Sequence, residues 1–148
     1  MQRNLLAAQF DAATELKDAG AITASGVATV GGVPRVVNIG AAFMRATLVV
    51  DVDLIDLTTG DETVELRLQG STVPDFTSDV VVLDTIRVGD TSVSAGETTD
   101  RVAGRLTRSV MNSVNGVKPY PYLRMYAVLA GTTPSINYRA FLTKDVLA

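Results

Sequence analysis

The segment from residue 47 to residue 69 reads TLVVDVDLIDLTTGDETVELRLQ and alternates apolar with polar side chains. In its first part the apolar residues occupy even positions from Leu48 to Leu54, whereas Asp51 and Asp53 occupy odd positions. A period of two is typical of a β-strand with one buried and one solvated face. We therefore predict a strand over 47–57, with inward residues Leu48, Val50 and Val52.

The apolar phase changes at Leu54 and Ile55, because Ile55 and Leu57 then hold odd positions. A change of phase within a strand predicts a β-bulge or a bend. Residues 58–61, TTGD, have the composition of a turn, and alternation resumes over 63–69. The sequence thus predicts an antiparallel hairpin over 47–69, whose second strand turns Val64, Leu66 and Leu68 inward.

Six further segments have the character of strands. The one at 79–88 has apolar residues on both faces, and Val80, Val82, Ile86 and Val88 are predicted to share one of them. The segments are 22–30, 34–39, 79–88, 104–111, 122–129 and 135–143. About eight strands in a 148-residue chain predict one all-β domain, a two-sheet antiparallel β-sandwich. A jelly roll is favoured over an immunoglobulin-like arrangement.

Two segments of the chain, one at the N-terminus and one rich in polar residues, are predicted separately from the strands. Residues 1–20 are predicted to be an N-terminal arm that is either extended or a short helix, and 21–148 to be the jelly-roll domain. Residues 89–104 are rich in Thr, Ser, Asp and Gly and are predicted to be a long loop.

The composition argues against most catalytic and cofactor chemistry. The chain has no Cys, no His and no Trp, which excludes disulfides, thiolate nucleophiles, imidazole bases and metal sites built on Cys or His. No phosphate-binding loop and no nucleophile elbow occur. We expect no cofactor, no catalytic residue and no metal, and hence a protein that is not an enzyme.

The densest set of carboxylates is Asp51, Asp53, Asp56 and Asp61. Asp51 and Asp53 would lie roughly 7 Å apart on one strand face, a separation within the range of glycosidases. The strand lacks an apolar pocket to raise one pKa, and the order of residues is not that of a calcium-binding EF-hand loop. A solvated strand face is the favoured interpretation, with a glycosidase and a calcium site as alternatives.

Charge is distributed unevenly along the chain. Residues 1–100 hold six basic and fifteen acidic side chains, whereas 101–148 hold seven basic and one acidic. The whole chain has a net charge of −3 and no nucleic-acid-binding motif, so we expect no direct binding of nucleic acid. The alternatives are charge pairing within the fold, pairing between subunits or with an acidic partner, and charges spread over solvated faces.

Several stretches resemble one known family of structural proteins. They are 4–11 (NLLAAQFD), 18–23 (DAGAIT), the segment 47–69, 123–128 (LRMYAV) and 141–143 (FLT). In order and length these stretches resemble the small jelly-roll capsid cement, or decoration, proteins of tailed bacteriophages. The resemblance implies a homotrimer on the outer surface of the virion capsid, at local three-fold positions, that bridges subunits of the major capsid protein. It implies no membrane partner.

Five residues are predicted to make interactions with a partner. Leu5, Leu6 and Phe10 in the arm are expected to anchor it on a neighbouring subunit or on the capsid. Tyr120 and Tyr122 lie in the stretch PYPY, where two prolines keep the backbone extended. Alternative functions are a phage neck, tail or fibre component, and a non-catalytic carbohydrate-binding module.

Overall fold

The computed structural model describes residues 12–57, 59–90 and 104–144. Within these ranges the chain is all β, apart from a 3-10 turn at Ala12–Thr14, and two antiparallel sheets pack as a sandwich. No helix in the described ranges is long and apolar enough to cross a membrane. The strands are β1 (Glu15–Lys17), β2 (Ala21–Ile22), β3 (Gly26–Val27), β4 (Thr29–Val30), β5 (Val33–Pro34), β6 (Val37–Asn38), β7 (Arg45–Asp56), β8 (Thr63–Ser71), β9 (Val81–Asp90), β10 (Gly104–Met111), β11 (Tyr122–Ala130) and β12 (Ser135–Lys144).

The first sheet has the strand order β1, β12, β7, β10, and β2 also pairs with β12. The second sheet has the order β3, β11, β8, β9, and β6 also pairs with β11. Strands β4 and β5 form a separate two-stranded ribbon. The two last strands described, β11 and β12, therefore lie inside the two sheets rather than at their edges.

The apolar core lies between the sheets and is built from alternate residues of the long strands. All six residues predicted to face inward from 47–69 are at most 6% exposed, which confirms the predicted alternation. They meet residues of β11 and β12 in one cluster. The largest members from these two strands are Leu123, Met125, Ile136, Tyr138 and Leu142. Burial of such side chains stabilises the fold by roughly 25 cal/mol per Å² of apolar surface.

The predicted bulge is confirmed and lies at Asp53. Tyr138 of β12 pairs with Val52 while Asn137 pairs with Leu54, so the ladder skips Asp53. Beyond the bulge Ile55 packs against the core and Leu54 points to solvent. An inserted residue reverses the side-chain phase, because successive side chains alternate between the two faces.

The predicted hairpin over 47–69 is wrong, although both of its strands exist. β7 pairs with β12 and β10, whereas β8 pairs with β11 and β9. The connection between them crosses from one sheet to the other. Alternation shows which face of a strand is apolar, but strands of opposite sheets turn their apolar faces to the same core. A hairpin and a crossover therefore have the same sequence pattern.

The end of the predicted arm belongs to the first sheet. β1 pairs with β12 and Leu16 is fully buried, so a helix over residues 4–19 is wrong in its described part. The Arg35 guanidinium donates to the backbone carbonyls of Ala12, Ala13 and Glu15 at 2.9–3.2 Å. As a strand, this segment places the side chain of Leu16 in the core between the sheets. Residues 1–11 lie outside the described residues.

β1 also carries a buried lysine. The Lys17 ammonium donates to the carbonyls of Asp18, Gly20 and Tyr138 at 2.8–2.9 Å. It lies 4.6 Å from the centroid of the Tyr138 ring, and burial lowers the pKa of Lys17. Three acceptors satisfy the three donors of an ammonium group, and the bond to Tyr138 joins the end of β1 to β12.

The prediction for 79–88 is correct in part. Ile86 and Val88 are buried in the core, but Val80 and Val82, which were predicted to share their face, are exposed. The ladder between β8 and β9 skips Leu83, and this bulge reverses the phase between the two pairs. Of the predicted loop over 89–104, residues 91–103 lie outside the described residues.

Candidate functional site

Exposed apolar side chains gather at one end of the sandwich, where β10 ends and β7 begins. Met111 ends β10 and pairs with Arg45 at the start of β7. Phe43, just before β7, is 53% exposed, and Val117, in the loop after β10, is 80% exposed. The four exposed residues here are called the end patch: Phe43, Met111, Val114 and Val117. Grouped exposed apolar residues mark interaction surfaces, whereas single ones are common on any protein.

A buried amide holds the end patch together. Asn112 is 2% exposed, and its Oδ1 accepts a hydrogen bond from the Met44 N–H at 2.7 Å. Its Nδ2 donates to the carbonyl of Ala42 at 2.9 Å and to that of Tyr120 at 3.3 Å. These bonds fix the backbone on both sides of Phe43 and at the far end of the loop. A surface ordered before binding loses less conformational entropy when a partner binds.

The charged groups beside the end patch neutralise each other. The Lys118 ammonium donates to the Asp79 carboxylate at 2.6 Å. Through this bond the carboxylate raises the pKa of Lys118, and Lys118 together with Thr72 lowers the pKa of Asp79. Val80 and Val82, which follow Asp79 in the chain, are exposed apolar residues as well. The surface therefore favours an apolar partner rather than a strongly charged one.

The opposite end of the sandwich is tied together by two carboxylates. Glu62 is fully buried and accepts from the N–H groups of Thr59 at 2.9 Å and Gly60 at 3.1 Å. Asp61 accepts from the hydroxyl and the N–H of Thr132 at 2.6 and 3.1 Å. The connection between β7 and β8 is thereby bonded to the connection between β11 and β12. This arrangement stabilises the fold, since backbone donors occupy the Glu62 carboxylate.

Acidification is expected to weaken this end of the sandwich. Hydrogen bonds from Thr132, chiefly from its hydroxyl and also from its backbone N–H, lower the pKa of Asp61 from 3.8 to about 2. The folded protein therefore binds this proton less tightly than the unfolded chain, so the stabilisation is complete above the unfolded pKa. It is lost as the pH falls through the folded pKa. Urea unfolding at successive pH values between 4 and 2 measures this loss.

Two variants isolate the contribution of Asp61 to that pH dependence. Asp61→Asn removes the titrating group, and Thr132→Val removes the hydroxyl that lowers its pKa. Both variants should show a shallower loss of stability over this pH window than the wild-type protein. If the pH dependence of stability in Asp61→Asn is unchanged, the loss of stability on acidification is not due to Asp61.

The charge asymmetry of the sequence corresponds to ion pairs inside the fold. Arg105 donates to both carboxylate oxygens of Asp51 at 2.7 and 2.9 Å, and Arg108 does the same to Asp84 at 3.0 and 2.9 Å. Arg139 lies 3.5 Å from Glu15. These basic residues of the C-terminal third pair with acidic residues earlier in the chain. Of the three alternatives, pairing within the fold is the one seen in the described residues.

The predicted carboxylate set does not form an acid–base pair. Asp51 is held by the Arg105 guanidinium, which spans its two oxygens, and Asp53 lies in the bulge. Asp61 lies at the end of the sandwich, bonded to Thr132. Across the three described ranges, no three carboxylates are grouped closely enough to hold a metal ion.

The structure places two of the five predicted interaction residues. Tyr120 is only 6% exposed, and its ring packs within the domain beneath Lys118, whose Nζ lies 5.3 Å from the ring centroid. Tyr122 is half-buried at the start of β11. Leu5, Leu6 and Phe10 lie outside the described residues. The end patch was missed because its residues lie in or beside turns; the signal was the pair of valines that flanks Asn115-Gly116.

The outer face of the second sheet carries a smaller aromatic group. Arg124 donates to Gln69 at 2.8 Å, and its guanidinium lies 4.2 Å from the centroid of Phe76 and 5.9 Å from that of Tyr126. Phe76 has a φ of +55°, which is rare for a bulky residue. The loop between β8 and β9 therefore folds back onto this face, and stacking of Arg124 helps to hold it there.

Comparison with known proteins provides no family assignment. No protein-family model matches this sequence, and no curated protein is similar to it.

Proposed function

We propose that this protein is a capsid cement, or decoration, protein of a tailed bacteriophage. It forms a homotrimer on the outer surface of the capsid and clamps neighbouring major capsid subunits, without any enzymatic activity. The observation that carries the proposal is the end patch, an exposed apolar surface fixed by Asn112. A protein that acts by binding needs such a surface and no reactive group. The sequence resemblance to cement proteins supplies the identity of the partner.

We also propose that the sandwich is a jelly roll, and the strand order supports this. For this comparison β1–β2 count as strand 1 and β3–β6 as strand 2, and β7, β8, β9, β10, β11 and β12 then count as strands 3 to 8. In this count the first sheet has the order 1-8-3-6. The second sheet then has the order 2-7-4-5. Strand pairs 1 and 8, 2 and 7, 3 and 6, and 4 and 5 arise when one long antiparallel hairpin is wrapped into a sandwich. This is the fold implied by the resemblance.

The multivalency of a trimer suits the proposed role. A shell filled with DNA must hold thousands of subunit junctions, each through a modest contact area. A trimer that binds three capsid sites at once gains affinity through effective concentration, with no need for a strong individual contact. Three exposed basic residues, Arg105, Arg108 and Lys118, are paired with carboxylates, which makes them poor binding sites for nucleic acid.

The N-terminal segment is proposed as a second attachment point, through Leu5, Leu6 and Phe10. The described chain begins at Ala12, beside β12 at an edge of the first sheet. Deletion of residues 2–11 removes the three anchors and leaves β1 and the carbonyls held by Arg35. This variant should retain the melting temperature and lose copy number on reconstituted shells. A large fall in melting temperature would instead make the segment part of the folded domain.

The proposal is tested first by mass and stoichiometry. Light scattering of the free protein is expected to give about three times 15.6 kDa. Shells that lack the protein should take it up over their whole surface, at local three-fold positions visible by electron microscopy. Binding at a single vertex or on the tail would favour a neck, tail or fibre component. A monomer that fails to bind shells would overturn the proposal.

A charge placed in the end patch is expected to weaken association of the protein with itself or with shells. Val117→Asp puts a carboxylate at the most exposed apolar position, and burying it at an interface without a partner is unfavourable. We expect roughly a tenfold or greater loss of affinity, in trimer formation or in shell binding. Sedimentation and copy number on shells measure these two steps. The matched control is Val33→Asp, since Val33 is 64% exposed but lies in the ribbon of β4 and β5. Equal effects of the two variants would contradict a specific role for the end patch.

A carbohydrate-binding module remains the second candidate, because of the aromatic group on the second sheet. Tyr126 is half-buried and lies beside Arg124 on this face, and aromatic rings on a sheet face are the usual platform for a sugar. Retention on a glycan array that is lost in Tyr126→Ala would favour this candidate. Uptake by shells that is unchanged in Tyr126→Ala would favour the capsid function.

A further inference from the structure

The loop between β10 and β11 contains the dipeptide Asn115-Gly116, which occurs once in the sequence. Asn115 has a φ of +56° and Gly116 a φ of +70°, and the Val117 N–H donates to the Val114 carbonyl at 3.3 Å. Two central residues with positive φ and this closing bond define a type I′ turn, for which Asn-Gly is the preferred sequence. The turn forms the centre of the end patch, since Val114 and Val117 flank it.

Asn115 and Gly116 are both exposed to water. A Cβ built at Gly116 would meet no atom within 4 Å, so nothing in the described structure crowds the backbone there. The bond that closes the turn is long for an N–H···O hydrogen bond, so the turn opens at small cost. Two other asparagines are held by hydrogen bonds: Asn112 is buried and makes three, and Asn137 accepts one from the Gly20 N–H at 3.0 Å.

We propose that Asn115 is a site of spontaneous deamidation, which converts the end patch to a charged surface as the protein ages. The backbone nitrogen of Gly116 loses its proton to water and attacks Cγ of Asn115. The bond from Cγ to the amide nitrogen then breaks, and that nitrogen leaves with an added proton as ammonia. The product is a five-membered succinimide. Water opens either ring carbonyl to give aspartate or isoaspartate, so that an OH group replaces the NH2 group.

The effect of this modification on the end patch follows from the chemistry of the two products. Aspartate places a carboxylate between Val114 and Val117. Isoaspartate also lengthens the backbone by the side-chain methylene, and the type I′ turn with its Val117 to Val114 bond cannot be kept. Each product opposes burial of the end patch at an apolar interface. This consequence rests on the proposed function, whereas the modification itself does not.

The modification is tested by mass spectrometry of the full-length protein incubated at mildly alkaline pH and body temperature over several weeks. Peptides containing residue 115 are expected to gain the mass that accompanies replacement of NH2 by OH, and to resolve into aspartate and isoaspartate forms. Asn112 and Asn137 in the same samples are internal controls and should remain unchanged. Asn115→Gly keeps positive φ without strain and removes the amide, so it should show no mass gain in this loop.

A synthetic peptide spanning residues 110–120 gives the reference rate for the same sequence without the fold. If the peptide converts completely while Asn115 in the folded protein stays intact, the proposal is wrong. If Asn115 converts, Asn115→Asp tests the consequence and should reduce trimer formation or shell binding roughly tenfold. Conversion of Asn115 with unchanged association in Asn115→Asp would support the modification site and overturn its effect on the end patch.

Discussion

Replacement of Gly131 by alanine is expected to lower the free energy of unfolding by more than about 4 kcal/mol, a loss rare for a single methyl group. Gly131 has a φ of +105°, where an L-residue is strained. A Cβ at this position would also lie 2.6 Å from the Asp61 carbonyl oxygen and 2.6 Å from the Glu62 Cα. Both are backbone atoms of the connection between β7 and β8. They cannot move away without breaking the hydrogen bonds that Asp61 and Glu62 make there. Chemical denaturation, or the soluble fraction if the variant does not fold, measures the loss.

The matched control for this prediction is Gly40→Ala. Gly40 has a φ of +93°, and a Cβ there would meet no atom within 4 Å. Its substitution isolates the cost of the backbone conformation, about 1–2 kcal/mol. The remainder of the Gly131 effect is then due to the close approach of the two connections. Similar losses in the two variants would show that this approach contributes little.

The second large effect is expected from Asn112→Ala. The substitution leaves the Met44 N–H and the carbonyls of Ala42 and Tyr120 without their buried partner. An unsatisfied buried polar group costs about 1–3 kcal/mol, so the total loss should be about 3–5 kcal/mol after partial relaxation. Because Phe43 lies between two of the released groups, association should weaken together with stability. Denaturant unfolding and sedimentation provide the two measurements.

Asn38→Ala serves as the control for the loss of an asparagine amide. The Asn38 Oδ1 accepts a hydrogen bond from the Gly40 N–H at 2.9 Å at an exposed position. Water replaces this bond when the side chain is removed, so we expect a loss below about 1 kcal/mol. If Asn112→Ala costs no more than Asn38→Ala, Asn112 does not organise the end patch.

The sequence was sufficient to predict the strands and the side chains that face the core. Alternation is a local property, because each strand must place its apolar residues on one side wherever it pairs. The bulge at Asp53 was predictable for the same reason, since it appears as a change of phase. Strand pairing was not predictable: β7 meets β10 and β12, which lie far away in sequence. The local turn chemistry of residues 58–61 is compatible with either a hairpin or a crossover.

The candidate site was less accessible to sequence analysis than the fold. Tyr120 was selected because its flanking prolines make the segment stiff, yet its ring is buried within the domain. The end patch is formed by residues from two separate loops and the end of β10, and Asn112, which joins them, has no distinctive neighbours in the sequence. Its importance comes from burial and from three partners at distant positions. The opposed charges of the two parts of the chain are visible in the sequence, but which acidic residue pairs with which basic residue depends on how β1, β7, β9, β10 and β12 are arranged.

The position of β12 between β1 and β7 has a consequence for biosynthesis. A ribosome releases β1 and β7 long before residues 135–144, so neither strand has this partner while the chain is being made. Among the long strands described, β8 and β9 alone are consecutive neighbours in a sheet, and their hairpin is the natural first event in folding. Closure of long loops must precede the remaining pairings, which makes folding slow. A chain terminated early leaves two strands with open edges, and such edges aggregate. A chain that ends before residue 135 therefore lacks the strand that joins β1 to β7.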